Sequence, residues 1–158
     1  MKPRKILIAD DSRIILKTLS NNLSAHGYQV LTADNGGEAV RLARGEKPDL
    51  ILLDINFPPD VGHVGGVAWD GFLIMDWLRR MDEAKSIPII IISGADPNKY
   101  EQRSLAAGAV AFFHKPIDNP ALLEIIRQTL GDTEPEYVLP SKTGATLGGY
   151  ALSRGTSV

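Results

Sequence analysis

The sequence predicts an α/β protein with a doubly wound, five-stranded parallel sheet, and three observations support that prediction. Short apolar runs alternate with helix-period segments from residue 5 to about residue 130. Several of these runs lack a polar face, as strands covered by helices on both sides do. Capping side chains, prolines and glycines mark the ends of the intervening segments. Successive strand–helix units cross over with one hand, which puts helices on both faces of the sheet.

The candidate strands are five apolar runs. They are residues 5–9, 29–33, 50–53, 87–92 and 111–113. The first, third and fourth are apolar at successive positions, which is typical of central strands in a covered parallel sheet.

The first helix is predicted to begin at Asp11 or Ser12. Ile15, Leu19 and Leu23 recur along it at every fourth position. That spacing places the three side chains on one helix face, which we expect to pack against the sheet.

The second and third helices have equally clear boundary residues. The second covers about residues 36–44 and is expected to stop at Gly45. The third follows Asp70–Gly71, and its predicted apolar face consists of Leu73, Trp77 and Met81.

The last two helices each begin at a polar residue followed by proline. Asp96–Pro97 starts the fourth helix, which Gly108 ends, and Asn119–Pro120 starts the fifth, which Gly131 ends. The fourth is the least apolar of the five, and its inward candidates are Tyr100, Leu105 and Ala107. The apolar face of the fifth consists of Leu122, Ile126 and Leu130.

Composition narrows the class of protein. The chain has 158 residues, 44% hydrophobic and 23% charged, with a net charge of −2. This near-neutral balance is a poor match to a general nucleic-acid or anionic-membrane binder. The absence of cysteine excludes disulfides, thiolate zinc sites and a cysteine nucleophile. No apolar run approaches the roughly 18 residues of a membrane span, so a cytoplasmic location is expected.

Two segments interrupt the strand–helix alternation. Residues 57–69 are rich in proline and glycine and form a long loop after the third strand. Residues 132–158 have little periodicity and are expected to form a flexible or partner-dependent tail. The predicted organisation is therefore one domain over residues 1–131, with an inserted loop and a tail too short for a second domain.

Polar residues stand at the carboxyl ends of four predicted strands. They are Asp10 and Asp11 after the first strand, Asp54 after the third, Ser93 after the fourth and Lys115 after the fifth. In a doubly wound sheet these ends form the ligand site, so the side chains are expected to converge. Each residue taken alone has an ordinary structural explanation, such as a helix cap or a solvated charge.

Three converging carboxylates repel one another unless a cation joins them. A small, hard cation with oxygen ligands fits best, and Mg²⁺ is the natural candidate. The three histidines, His26, His63 and His114, are too scattered to suggest a zinc site. An ionised Asp54 beside Mg²⁺ can attack a phosphoryl group, with Ser93 and Lys115 holding its oxygens.

The segments IADDS (8–12), LLDIN (52–56), IISGA (91–95) and FHKP (113–116) resemble the receiver domain of two-component response regulators. The resemblance covers residues 4 to about 130 and implies a flavodoxin-like strand order of 2-1-3-4-5. It implies that Asp54 accepts a phosphoryl group from a histidine kinase or a phosphotransfer protein.

By the same resemblance, Asp11 binds Mg²⁺ directly, Asp10 binds it mainly through water, and Asn56 contributes its backbone carbonyl. Phe112 stands at the place of the family's switch aromatic, without the hydroxyl of the commoner tyrosine; alternatively it is a core residue of the fifth strand. Lys115–Pro116 looks like the family's cis peptide bond.

The loop after Asp54 departs from the family. Asp70–Gly71 arrives 16 residues after Asp54, which leaves about nine extra residues in the loop. The insertion is either a partner-specific surface or a tolerated lengthening, since longer loops cost little free energy.

The resemblance implies a stand-alone switch, monomeric or weakly dimeric, that acts through protein contacts on its fourth helix, fifth strand and fifth helix. One alternative is a phosphorylation-independent pseudo-receiver that serves only as a binding module. Another is a Mg²⁺-dependent aspartyl phosphatase, which would need a general acid where this chain has Asn56.

Overall fold

The computed structural model describes residues 2–56 and 70–132. Five strands and five helices alternate along them. In chain order they are β1 (Lys5–Ala9), α1 (Arg13–Ala25), β2 (Gln29–Ala33), α2 (Gly36–Glu46), β3 (Leu50–Asp54), α3 (Gly71–Arg80), β4 (Ile89–Ser93), α4 (Pro97–Ala106), β5 (Ala111–His114) and α5 (Asn119–Leu130).

The strands form one parallel sheet in the order β2-β1-β3-β4-β5, as the resemblance implies. Leu52 in the central strand lies opposite Ile8 on one side and Ile90 on the other. This order places β1, β3, β4 and β5 side by side, so the polar residues that follow them share one edge of the sheet.

Helices cover both faces of the sheet. Alternate strand residues such as Ile8 and Leu52 pack with Leu19 of α1 and Leu122 of α5. Their neighbours, including Leu53, pack on the opposite face against α2, α3 and Tyr100 of α4. Every residue of β3 and β4 is buried, which explains why these two strands are apolar on both sides.

Side-chain caps fix the start of each helix. Ser12, Asn35, Asp70, Asp96 and Asp118 each accept a hydrogen bond from a backbone N–H in the first turn. The structure corrects some predicted boundaries. Helix α2 continues through Gly45 to Glu46, with Lys47 as its left-handed cap, α5 is capped by Asp118 instead of Asn119, and β4 begins at Ile89.

The predicted apolar face of α3 is right at Met81, which packs against the core, but wrong at Trp77. Its buried residues are Gly71, Ile74, Met75 and Leu78, while Trp77 is 49% exposed. The cap at Asp70 and the packing of Gly71 set the rotation of this helix, and neither is visible in hydrophobic periodicity alone.

The inward residues of α4 also differ from the prediction. Tyr100 packs against the core as expected, but Leu105 and Ala107 are exposed. The buried residue is Ser104, whose hydroxyl donates to the Tyr100 carbonyl at 2.7 Å. A polar residue can occupy this inward position because its hydrogen bond is satisfied within the helix.

The predicted loop at 57–69 and the predicted tail beyond Asp132 lie outside the described residues, so the predicted domain limits stay predictions. Among the described residues, no helix is long and apolar enough to cross a membrane. The cytoplasmic location likewise stays a prediction.

Candidate functional site

The candidate site lies at the carboxyl edge of the sheet. The backbone N–H of Asp10 donates to the Ala33 carbonyl at 3.0 Å, so the residue after β1 is still held by β2. The N–H of Lys115 donates to the Ser93 carbonyl at 2.8 Å, which fixes the chain after β5 beside β4. Both residues leave the sheet from defined positions, as does Asp54 at the end of β3.

Three carboxylates converge at this edge. Oxygens of Asp10, Asp11 and Asp54 lie within 4.8 Å of one another. Asp10 is fully buried and Asp54 is 4% exposed, whereas Asp11 is exposed to solvent. The cluster thus consists of two buried carboxylates, those of Asp10 and Asp54, and one carboxylate exposed to solvent, that of Asp11.

Lys115 contacts both buried carboxylates. Its Nζ lies 2.7 Å from Asp10 Oδ2 and 3.5 Å from Asp54 Oδ2. Burial alone would lower the pKa of Lys115, but its hydrogen bond to Asp10 and the charges of Asp54 and Asp10 raise that pKa instead. Lys115 therefore stays charged between the two buried acids.

Backbone donors orient the same two carboxylates. The Ser12 N–H donates to Asp10 Oδ1 at 2.8 Å, and the Asn56 N–H donates to Asp54 Oδ1 at 3.3 Å. In each of these carboxylates, one oxygen thus accepts a hydrogen bond from a backbone amide, and the other oxygen contacts the ammonium group of Lys115. This arrangement fixes the direction in which the Asp54 carboxylate faces the cluster.

The pKa of Asp54 is raised to about 6. Burial is the largest cause, and the neighbouring charge of Asp10 adds to it, with a smaller effect from Asp11. Lys115 and the Asn56 N–H act in the opposite direction without cancelling the rise. The cluster therefore carries more negative charge than Lys115 neutralises, and a bound cation would relieve it.

Ser93 and Phe112 differ in their relation to the cluster. Ser93 ends β4 next to Asp54 and is fully buried, and its Oγ accepts a hydrogen bond from the Ala95 N–H at 3.0 Å. Phe112 is partly buried and packs against the apolar core on the α2–α3–α4 face. Its position fits the core interpretation, and the switch role stays a prediction. Lys115–Pro116 is cis, as expected.

Gly71 is a positioning residue that sequence reasoning missed. Its N–H donates to the Ile55 carbonyl at 2.7 Å, and a Cβ at this position would lie 2.6 Å from the Asp54 carbonyl oxygen and 2.7 Å from Ile55 Cα. Only glycine permits this approach of α3 to the end of β3. No local pattern reveals this requirement, because the atoms that leave no room for a Cβ belong to the backbone of Asp54 and Ile55, outside the helix.

The donor set suits Mg²⁺. Carboxylate oxygens, one of them open to solvent, are the ligands this hard cation takes, and an exposed Asp11 leaves room for the waters it retains. The pKa of Asp54 is raised mainly by burial and then by the charge of Asp10, and a cation beside Asp54 would offset both effects.

Comparisons with known proteins agree with this geometry. The family model described as "Response regulator receiver domain" matches residues 6–127. DivK of Brucella anthropi, a polar-differentiation response regulator, is 34% identical over 130 residues, covering 82% of this chain and 98% of DivK. PilH of Pseudomonas aeruginosa is 37% identical over 126 residues, 80% of this chain and 97% of PilH.

Solved structures show the same fold. The chemotaxis response regulator CheY4 of Vibrio cholerae superposes with a TM-score of 0.69 at 29% identity, covering 81% of this chain and 99% of CheY4. A CheY-like receiver domain protein of Methanospirillum hungatei gives a TM-score of 0.71 at 28% identity, covering 83% of this chain and 96% of that protein.

Proposed function

The chain belongs to the response regulator receiver domain family of two-component signalling, and from that premise we propose that it is a single-domain switch whose phosphoacceptor is Asp54. The observation that carries the proposal is the placement of Asp54, nearly buried, beside two other carboxylates and within reach of Lys115. DivK and PilH, which this chain spans almost completely, are similarly short proteins.

The proposed chemistry is transfer of a phosphoryl group from a phosphohistidine to Asp54. A carboxylate oxygen of Asp54 attacks phosphorus, an O–P bond forms, and the N–P bond breaks with its electron pair passing to the imidazole. The product is an acyl phosphate on Asp54. The hydrogen bond from the Asn56 N–H to one carboxylate oxygen supports this role, because it leaves the other oxygen directed toward Lys115 and the cluster.

Lys115 and Ser93 are proposed to hold the phosphoryl oxygens. Lys115 already touches both buried carboxylates, so its ammonium needs little movement to reach an oxygen on Asp54. The Ser93 hydroxyl accepts from Ala95 and still has its own proton to donate.

Asp10, Asp11 and the Asn56 carbonyl, together with Asp54, are the residues proposed to hold Mg²⁺. When bound, the ion neutralises charge on the transferring oxygens, as metals do in phosphoryl transfer. Asp11, as the exposed member, is the residue that we expect to bind it most directly.

The proposed output surface consists of α4, β5 and α5. Helix α4 buries a single residue, Ser104, and β5 is an edge strand. Because few contacts hold them, α4 and β5 can change position at little cost in free energy. Leu105 and Val110 are exposed apolar side chains on this side, at 45% and 46%. A histidine kinase or phosphotransfer protein is the proposed donor, and a separate effector protein is the proposed reader of this surface.

Intact-mass spectrometry tests the chemistry directly. The protein is incubated with acetyl phosphate, with and without Mg²⁺, and compared with Asp54→Asn. We expect a single labile phosphoryl adduct that requires Mg²⁺ and is absent in the variant. Asp82→Asn is the matched control, because its side chain is 92% exposed and far from the cluster in sequence. If Asp54→Asn formed the adduct to the same extent as the unaltered protein, Asp54 would not be the phosphoacceptor.

A chemical-shift map of the phosphorylated protein tests the output surface. We expect the largest shifts outside the site in α4, β5 and α5. Unchanged shifts in those three elements would refute the surface while leaving the acceptor assignment intact.

A further inference from the structure

A positively charged groove lies at the opposite end of the sheet from the candidate site. It has a volume of about 880 Å³ and lies where β1 begins, beside the α1–β2 turn and the end of α5. Five cations and two carboxylates line it: Lys2, Arg4, Lys5, Lys47 and Arg127, with Asp49 and Asp132. Without His26, the lining residues carry three more positive than negative charges.

The existing ion pairs leave much of that charge available. Arg4 pairs with Asp132 at 3.3 Å and with Asp49 at 3.9 Å, and Lys5 pairs with Glu46 at 3.2 Å. Lys2 and Lys47 are exposed, and neither has an ion-pair partner within the described part of the chain. Tyr28, half-buried, adds an aromatic surface to the same groove.

The chain leaves the domain from this groove. Asp132 is one of its lining residues, and its N–H is held by the Arg127 carbonyl at 2.9 Å. Arg4 also donates to the Leu130 carbonyl at 3.0 Å, which fixes the end of α5 against the start of β1. Whatever follows Asp132 therefore starts inside a cationic environment.

The residues that follow Asp132 in the sequence include acids that complement the positive charge of the groove. Residues 134–139 read Glu-Pro-Glu-Tyr-Val-Leu, two acids followed by three apolar residues. Glu136 is four residues beyond Asp132, so it cannot lie more than about 14 Å from it. Tethering on so short a span gives a high effective concentration, on the order of millimolar, which makes even a weak charge attraction sufficient.

We propose that residues 134–139 of this same chain dock in the groove, with Glu134 and Glu136 paired to Lys2 and Lys47. An extended segment would present these two acids on one side, since residues two apart share a side of an extended chain. The groove and the carboxyl cluster lie at opposite ends of β1, so they are separated by about the length of that strand, roughly 17 Å. The docking is thus separate from phosphorylation, and neither proposal depends on the other.

Backbone order parameters from ¹⁵N relaxation on the full chain test the docking. We expect values of about 0.8 for residues 134–139 in the unaltered protein, and values below about 0.6 in Lys2→Glu/Lys47→Glu. The charge swap that adds Glu134→Lys/Glu136→Lys to that variant should restore the order. Lys17→Glu/Lys85→Glu is the matched control, with the same charge change at exposed lysines outside the groove, and should leave residues 134–139 ordered.

Three results would overturn the proposal. Order parameters below about 0.6 for residues 134–139 in the unaltered protein would show an unoccupied groove. Order that persists in Lys2→Glu/Lys47→Glu would show docking elsewhere. Order that appears only at concentrations where sedimentation gives a dimer would assign the groove to the segment of a second copy.

Discussion

Asp54 is held in an environment that opposes its own ionisation. It is buried next to a second buried carboxylate, and one lysine serves both. This placement of Asp54 costs stability, because the ionised carboxylate loses its hydration and lies next to the like charge of Asp10. Such perturbed groups are concentrated at functional sites, and this one has the nucleophilic oxygen that the proposed reaction needs.

The raised pKa of Asp54 predicts that Asp54→Asn stabilises the metal-free protein at neutral pH. The folded state binds this proton more tightly than the unfolded state, because the pKa rises from 3.8 to about 6 on folding. The resulting penalty is small below about pH 4, grows between about pH 4 and 6, and levels off at roughly 3 kcal/mol above pH 6. We expect the variant to be about 1–3 kcal/mol more stable at pH 7 in EDTA.

Urea unfolding at several pH values measures this difference. The difference should change little between pH 7 and 6 and should shrink as the pH falls from about 6 toward 4. Asp82→Asn, which removes an exposed carboxylate, should show no comparable gain. A variant that is less stable than the unaltered protein at pH 7, or a gain that increases on acidification, would contradict the electrostatic account.

At the scale of elements, the junction between β3 and α3 sets the position of Asp54. Asp54 ends β3, and its own backbone and that of Ile55 are packed against the first turn of α3. The Asp70 cap and the Gly71 contact together decide how α3 approaches. Displacement of α3 is therefore transmitted directly to the backbone of Asp54.

Gly71→Ala should disturb this junction. The new methyl group would lie 2.6 Å from the Asp54 carbonyl oxygen, so the backbone must shift. We expect a loss of about 1–3 kcal/mol, as for overpacked sites, and slower phosphorylation by acetyl phosphate. Gly45→Ala is the matched control, because nothing lies within 4 Å of its Cβ and it sits inside α2.

The Gly45→Ala control should gain up to about 1 kcal/mol through helix propensity. Thermal unfolding and the rate of adduct formation distinguish the two variants. Equal stability and equal rates for both would mean that the close approach of Gly71 is unimportant.

Helix α4 is expected to open more readily than α1, α3 and α5. Its single buried residue is Ser104, and it is joined to α3 mainly through Tyr100 stacked on Phe72 and Arg103 lying 3.9 Å above the Phe72 ring. Helices α1, α3 and α5 instead bury large aliphatic side chains. Native-state hydrogen exchange should show weaker protection in α4 than in these three. Equal protection would remove the structural argument for α4 as the mobile part of the output surface.

For the whole molecule, strand–helix alternation, strand-end chemistry and the inward faces of α1 and α5 were readable from the sequence, whereas the rotations of α3 and α4 were not. The fold class, the strand order and the convergence of Asp10, Asp11 and Asp54 are confirmed. Periodicity placed Trp77 inward because it assumes that the most apolar residues face the core, yet the Gly71 contact rotates α3 so that Met75 is buried. Close backbone approach depends on the other elements present, so no local pattern reveals it.

The longer loop between β3 and α3 is expected to be dispensable for folding. Its two ends already meet, because the Gly71 N–H donates to the Ile55 carbonyl at 2.7 Å. Deleting residues 60–68 leaves about a third of the loop, and since each halving of a loop lowers the closure cost by about 0.6 kcal/mol, the change is about 1 kcal/mol. The deletion should therefore change the free energy of unfolding by no more than about 1 kcal/mol and leave the acetyl phosphate adduct intact.

Phosphotransfer from protein donors then separates the two explanations of the insertion. A variant that folds, forms the adduct with acetyl phosphate and loses transfer from its histidine kinase would identify the loop as a partner-specific surface. Unchanged transfer and an unchanged set of partners would identify a tolerated lengthening. A loss of several kcal/mol in stability would contradict both, since the bond between Ile55 and Gly71 would then be insufficient to hold α3 in place without the loop.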